Sequence, residues 1–126
     1  MTGLAALDGL AEQVRAAGLP VQVRVEGSPR PLPAVLDHSA YRVVQEALTN
    51  ALKHAGPAHA EVRVRFEPDW LELTVEDDGA GEAGNGTPGY GLIGMRERAT
   101  LFGGRLDAGP RPTGGFAVHA RFPLSP

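Results

Sequence analysis

The sequence contains no cysteine, which excludes disulfides, thiolate catalysis and cysteine zinc sites. A reducing compartment is compatible with that absence. No run of eighteen apolar residues occurs, so no segment reads as a membrane-spanning helix, and no membrane contact is expected. The N-terminus also lacks the charged-then-apolar pattern of a signal peptide. Lysine is nearly missing: eleven arginines and the single Lys53 are scattered, and the formal net charge is -3. Without a basic stripe, a nucleic-acid partner is not expected. No G-x-x-x-x-G-K-[ST] loop is present, so any nucleotide site is not of the P-loop type. No internal repeat is visible.

The 126 residues fit one compact domain, residues 1–126, with a substantial core. Its 17 glycines and 11 prolines gather between periodic segments, a pattern of pointed loops rather than of disorder. Leu4, Leu7, Leu10, Ala11 and Val14 keep a helical period over 4–17, and Gly18 is a natural stop. Strict alternation from Val21 to Glu26 predicts a half-buried strand, and the three prolines between Gly27 and Pro33 a loop. A helix follows over Tyr41–Ala55, with Asp37 or Ser39 as N-cap and Gly56-Pro57 as its end. Two alternating runs, Ala60–Phe66 and Leu71–Asp77, are joined by the turn residues Pro68-Asp69. From Asp78 to Gly89 there is no periodicity, and a loop of that length in a small domain is more often a functional lid than a connector. A helix from near Gly91 carries Leu92, Met95, Ala99 and Phe102 and closes at Gly103-Gly104. A short strand over Arg105–Ala108, a turn-rich link and a last alternating strand over Phe116–Phe122 complete the chain. Paired strands with helices between them predict an α+β fold: a two-layer sandwich whose mixed sheet is covered on one face by three helices.

The helix over 41–55 has an unusual margin. Tyr41, Val44, Leu48, Ala51 and Ala55 form an apolar stripe, and along its edge Glu46, Asn50 and His54 stack one turn apart. A carboxylate, an amide and an imidazole in a row can line a site; they also suit an ordinary amphipathic helix with polar shoulders.

Asp77 is the sharpest signal. Period two puts it on the same inward face as Leu71, Leu73 and Val75, where a carboxylate must find donors. The following Asp78-Gly79-Ala80-Gly81 allows a sharp turn and close approach of a flat ligand. A fixed carboxylate beside such a slot suits an exocyclic amine like that of adenine; it also suits a strand-end aspartate capping its own turn.

Gly89-Tyr90-Gly91-Leu92-Ile93-Gly94 matches G-x-G-x-x-G, with Asp107 near the distance of a ribose-binding acid. No buried strand precedes it, so the dinucleotide reading fails, and the companion motifs of a protein-kinase glycine loop are missing. What remains is a glycine-hinged loop entering a helix start, where free amides hold phosphates. Gly103-Gly104 and Gly114-Gly115 read as turn chemistry; Gly115 also suits close passage of the lid or a phosphate.

With a nucleotide present, the Asn50 amide oxygen suits Mg2+, Glu46 suits a coordinated water or a base role, and Lys53 suits phosphate as a point charge. His54 can donate to phosphate or ribose, or cap the helix end. Phosphoryl transfer needs mainly positioning and charge neutralisation, which this inventory supplies. His38, His59 and His119 have ordinary surface or turn readings.

Together these pieces resemble the ATP-binding catalytic domain of sensor histidine kinases in the GHKL ATPase superfamily, in the subgroup paired with NarL-type response regulators. Gln45–Ala55 resembles the N box, Asp77–Gly81 the D-x-G-x-G box, Gly89–Ala99 the G-x-G-L-x-G-M-R-E-R-A segment and Gly103–Leu106 the stretch that follows. The resemblance runs from Leu4 to Pro123. It implies an α/β sandwich, ATP and Mg2+ as cofactors, Asn50 as the Mg2+ ligand and Glu46 as its polar neighbour or base. It further implies Asp77 on the adenine amino group, Gly79 and Gly81 shaping the base pocket, and Gly89, Tyr90, Gly91 and Leu92 meeting the phosphates with their amides.

Three departures stand out: Phe116 where the family often has Thr, Tyr90 in place of a common His, and Asp78 where Asn is frequent. Each is expected to weaken or retune binding. The family's phosphorylated His lies in a His-Asp context on a preceding dimerisation helix, and His38 is followed by Ser39 instead. The expectation is therefore a cytoplasmic catalytic domain of a longer kinase, monomeric in isolation. It would bind Mg-ATP and pass the γ-phosphoryl group to a His on a separate dimerisation/phosphoacceptor domain, with a NarL-type regulator as indirect partner. A stand-alone serine kinase acting on an anti-sigma-factor antagonist is one alternative, which the Gly-Met-Arg-Glu-Arg-Ala segment disfavours; a nucleotide-sensing module without transfer is another.

Overall fold

The computed structural model describes residues 2–54, 56–79 and 92–124. A 3-10 turn, Leu4–Ala6, leads into helix α1, Leu7–Ala16; strand β1, Val21–Gly27, helix α2, Ala34–His54, and strands β2, Ala60–Phe66, and β3, Trp70–Asp77, follow. Helix α3, Leu92–Leu101, and strands β4, Arg105–Pro110, and β5, Phe116–Pro123, complete the order. The five strands form one sheet in the order β1-β2-β3-β5-β4, with β1 parallel to β2 and the other neighbours antiparallel. This is the mixed-sheet α+β architecture expected from the element order. Among the described residues no helix is long and apolar enough to cross a membrane.

Alternation separates the two faces of the sheet. Val62, Val64, Leu71, Leu73, Val75, Val118, Ala120 and Phe122 are buried with Val43, Val44 and Leu48 of α2 and Met95 and Ala99 of α3. Fully burying one such large aliphatic or aromatic side chain is worth roughly 1.5–3 kcal/mol, so this row holds the two layers together. Phe102, just past α3, meets Phe122 edge-on with ring centroids 6.0 Å apart. The intervening residues face outward and pair by charge: Arg63 bridges Glu61 and Glu76 at 3.1 and 2.9 Å, and Glu72 lies within reach of Arg65, His119 and Arg121. The Arg121 guanidinium also sits 4.0 Å above the Trp70 ring.

Several boundaries differ from the sequence reading, the first helix opening as a 3-10 turn over Leu4–Ala6 and three strands extending by one residue, and two of the differences have a clear cause. Helix α2 begins at Ala34, two turns before Tyr41, because Pro33 supplies a preset φ at its start and accepts the Asp37 amide at 2.9 Å. Neither Asp37 nor Ser39 is its N-cap. Ser39 is buried, and Asp37 turns its carboxylate to the Leu4 amide at 2.9 Å, capping the first turn of the chain instead. A Cβ on the neighbouring Gly3 would stand 1.9 Å from Asp37 Oδ2, so a side chain there would displace this carboxylate. Strand β4 runs to Pro110 rather than Ala108, because Gly109 and Pro110 keep register with Ala117 and Phe116. Proline is tolerated there because β4 is an edge strand.

Candidate functional site

The connectivity brings three element ends to one edge of the sandwich. Helix α2 ends at His54, and a short link leads to Ala60, which pairs directly with Asp77 at the end of β3. The end of β4 and the start of β5 meet there too, since Glu76 pairs with Ala117 and Pro110 with Phe116. Helix α3 closes at the far edge, where Arg105 pairs with Arg121, so its Leu92 end points back toward Asp77 over about 15 Å of helix. Asn50, His54, Asp77 and the start of α3 therefore share one end of the domain.

Asp77 occupies the inward end of β3, only 7% exposed. One carboxylate oxygen accepts the Gly79 amide at 3.0 Å, and the carboxylate accepts the Phe116 amide as well. Burial pushes its pKa above the ordinary carboxylate value, opposed by these two amides; the neighbouring charge of Asp78 raises it further and that of Arg111 lowers it. Thus Asp77 does cap its own turn, and two amides leave further acceptor capacity on its carboxylate.

The backbone around Asp77 is closely fitted. Gly115 has φ +90, and a Cβ on it would stand 1.9 Å from the Asp77 main-chain oxygen. No side chain can occupy that place, which explains Gly115 more specifically than turn chemistry does, while Gly114 has open space and needs glycine only for its φ of +102. Arg111 donates from Nη1 to the same Asp77 oxygen at 2.9 Å, while its own amide donates to the Gly115 oxygen at 2.8 Å. On the other flank Asp78 accepts the His59 amide through Oδ1 and lies 3.4 Å from the His59 ring through Oδ2. The His59 amide is the main cause holding the Asp78 pKa below its ordinary value.

On α2, Asn50 is buried at 8% exposure, His54 is half-buried and Lys53 is exposed. Glu46 is held by two arginines through one oxygen, Arg42 at 3.2 Å one turn back and Arg98 of α3 at 2.7 Å. Gly79 is buried and Leu92 half-buried at the first turn of α3. Gly81, Gly89, Tyr90 and Gly91 lie outside the described residues, as does most of the expected lid. The i,i+4 partner Arg42 is legible in the sequence by helical spacing. Arg98 lies in the Gly-Met-Arg-Glu-Arg-Ala segment, which marks the residue but not its partner Glu46, and Arg111 carries no local signal, being one of eleven dispersed arginines.

Comparison with known proteins gives the family and the fold. The family described as "Histidine kinase-, DNA gyrase B-, and HSP90-like ATPase" matches residues 37–126. The sensor histidine kinase YxjM of Bacillus subtilis is 38% identical over 126 residues, covering 98% of this chain and 31% of that protein. The nitrate/nitrite sensor protein NarX of Escherichia coli is 33% identical, covering 93% of this chain and 20% of that protein. The blue-light activated histidine kinase of Erythrobacter litoralis has the same fold at a TM-score of 0.79 and 26% identity, covering 96% of this chain and 41% of that structure. The chain spans a third or less of the length of these curated relatives. The catalytic domain of histidine kinase ThkA matches in fold at a TM-score of 0.71. The chain belongs to the histidine kinase-, DNA gyrase B- and HSP90-like ATPase family, and the relatives it resembles are sensor histidine kinases.

Proposed function

We propose that this domain binds Mg-ATP across the shared edge of α2, β3 and α3 and donates the γ-phosphoryl group to a histidine on a separate dimerisation domain. The observation that carries the reading is Asp77. A carboxylate buried at the end of an inward strand face, beside Gly79 and Gly115, costs the free domain stability, which suits a group retained to meet a ligand. Its remaining acceptor capacity suits the exocyclic amine of adenine, and Gly79, which carries no side chain, suits close approach of the base; we assign Gly81, outside the described residues, the same role.

The triphosphate would then run toward α2 and the start of α3. The Asn50 amide oxygen is a suitable hard ligand for Mg2+, which supplies charge neutralisation on the phosphates when bound. Amides of Gly89, Tyr90, Gly91 and Leu92 would receive the phosphates at the helix start. Lys53 and His54, on the last turn of α2, add donors on the same side. Glu46, one turn before Asn50, offers the carboxylate that accepts a proton from the incoming histidine or orders a metal-bound water. A bond from the imidazole nitrogen to phosphorus forms as the bond to the bridging oxygen of ADP breaks.

The setting we propose is the cytoplasmic portion of a longer sensor kinase, with this domain monomeric in isolation and a NarL-type response regulator as the later phosphate acceptor. The test is to incubate the domain with γ-labelled Mg-ATP and a separately supplied dimerisation domain. Acid-labile phosphate on histidine is expected. Acid-stable phosphate on serine would overturn the acceptor, and no transfer despite ATP binding would leave a nucleotide-sensing module.

A further inference from the structure

We infer that Arg111, on the turn between β4 and β5, is a positioning residue for base recognition: it fixes the backbone at Asp77 so that the carboxylate meets the purine edge squarely. The inference rests on the reading of Asp77 as the adenine contact.

The ladder between β3 and β5 ends at the pair Glu76 and Ala117, so the main-chain oxygen of Asp77 lies one residue beyond it. Arg111 supplies a donor there in place of a strand, reaching the oxygen at 2.9 Å with Nη1. The turn that presents Arg111 is itself closed at both ends. The Arg111 amide donates to the Gly115 oxygen at 2.8 Å, and the Gly114 amide donates to the Arg111 oxygen at 3.0 Å. Gly115 presses against the same Asp77 oxygen, and the next residue, Phe116, gives its amide to the Asp77 carboxylate. The turn Arg111–Gly115 and the residue after it, Phe116, therefore grip Asp77 by both its backbone and its side chain.

This arrangement also gives Phe116 a place. Its side chain packs partly buried against the core while its main chain serves the carboxylate. The contact to Asp77 through Phe116 needs no hydroxyl, and its direction depends on the turn that Arg111 ties down. Arginine suits the task because its planar fork can hold a carbonyl in a fixed direction, whereas a lysine offers a mobile point charge.

Base recognition can be separated from phosphate binding by comparing ATP with inosine triphosphate, which carries an oxo group in place of the adenine amine. Calorimetric affinities for both nucleotides would be measured on wild type, Arg111→Met, Arg111→Lys and Asp77→Asn, with thermal melting as a folding check. Arg111→Met is expected to lose roughly tenfold in ATP affinity and little for inosine triphosphate, so that discrimination shrinks by about the same factor. Arg111→Lys should recover about half of that loss on a logarithmic scale. An unchanged ATP-to-inosine ratio in Arg111→Met, with or without a lower Tm, would overturn the positioning role. Should Arg111→Met fail to fold, the ratio in Arg111→Lys decides in the same way: a reduced ratio supports the role and an unchanged one overturns it. Asp77→Asn keeps the two readings apart: if it leaves the ratio unchanged, the adenine contact itself is wrong.

Discussion

Arg98 of α3 places Nη1 2.7 Å from Oε1 of Glu46 on α2. The same oxygen receives Arg42 at 3.2 Å, so the carboxylate beside Asn50 is held from two helices at once. Both partners of the interhelical pair are partly exposed, at 28% and 22%, and such pairs contribute at most about 1 kcal/mol. A double-mutant cycle with Arg98→Met and Glu46→Gln should give a coupling of roughly 0.5–1 kcal/mol in chemical denaturation, falling with added salt. Phosphotransfer should fall in both single variants by about tenfold or more, because Glu46 loses either its charge or its orientation. Zero coupling together with unchanged transfer in Arg98→Met would remove the pair from the account.

The glycines at the β4–β5 turn should behave unequally. Gly114 has φ +102 and open space where a Cβ would go, so Gly114→Ala costs only the backbone strain, about 1–2 kcal/mol. Gly115 adds a collision with the Asp77 main-chain oxygen to a φ of +90, so Gly115→Ala should cost at least about 3 kcal/mol and abolish ATP binding. Equal Tm losses in the two variants would contradict the close approach.

Asp77 and Asp78 should respond to pH in opposite directions. The Asp77 pKa is raised in the folded state by burial, so its contribution to stability is present below the unfolded value of 3.8 and is lost as pH rises through the folded pKa. At neutral pH Asp77→Asn should therefore stabilise the nucleotide-free domain by on the order of 1 kcal/mol, and that gain should vanish in acid. The Asp78 pKa is lowered chiefly by the His59 amide, so its contribution is present above 3.8 and disappears as pH falls through the folded value. Asp78→Ala should lower Tm slightly at neutral pH and not at all in strong acid, the effect being small because the Asp78 side chain is 55% exposed. Melting curves across pH check both; Asp77→Asn destabilising the free protein at neutral pH would contradict the trade between stability and ligand binding.

The fold was legible where one periodicity dominated. Alternation in β2, β3 and β5 placed Asp77 on the buried face correctly, because register leaves no choice once Leu71, Leu73 and Val75 are inside. The start of α2 was missed because Asp37 and Ser39 have the chemistry of caps, and only the tertiary structure gives Asp37 to the Leu4 amide. The family resemblance was carried by local motifs and agrees with the family match. The pairings of Arg98 and Arg111 are illegible because their partners, Glu46 and the Asp77 carbonyl, lie 52 and 34 residues away (98 − 46 and 111 − 77) with no pattern linking them, although Arg98 itself stands in the Gly-Met-Arg-Glu-Arg-Ala segment.

A nucleotide site built on Asp77 and Asn50 can be probed by titrating ATP against wild type, Asp77→Asn and Asn50→Ala, with and without Mg2+. Asp77→Asn should weaken binding by roughly 2 kcal/mol whether or not Mg2+ is present, by leaving buried polar groups mispaired. Asn50→Ala should bind metal-free ATP like wild type and lose the gain that Mg2+ brings. Equal affinities for all three proteins under both conditions would contradict the account.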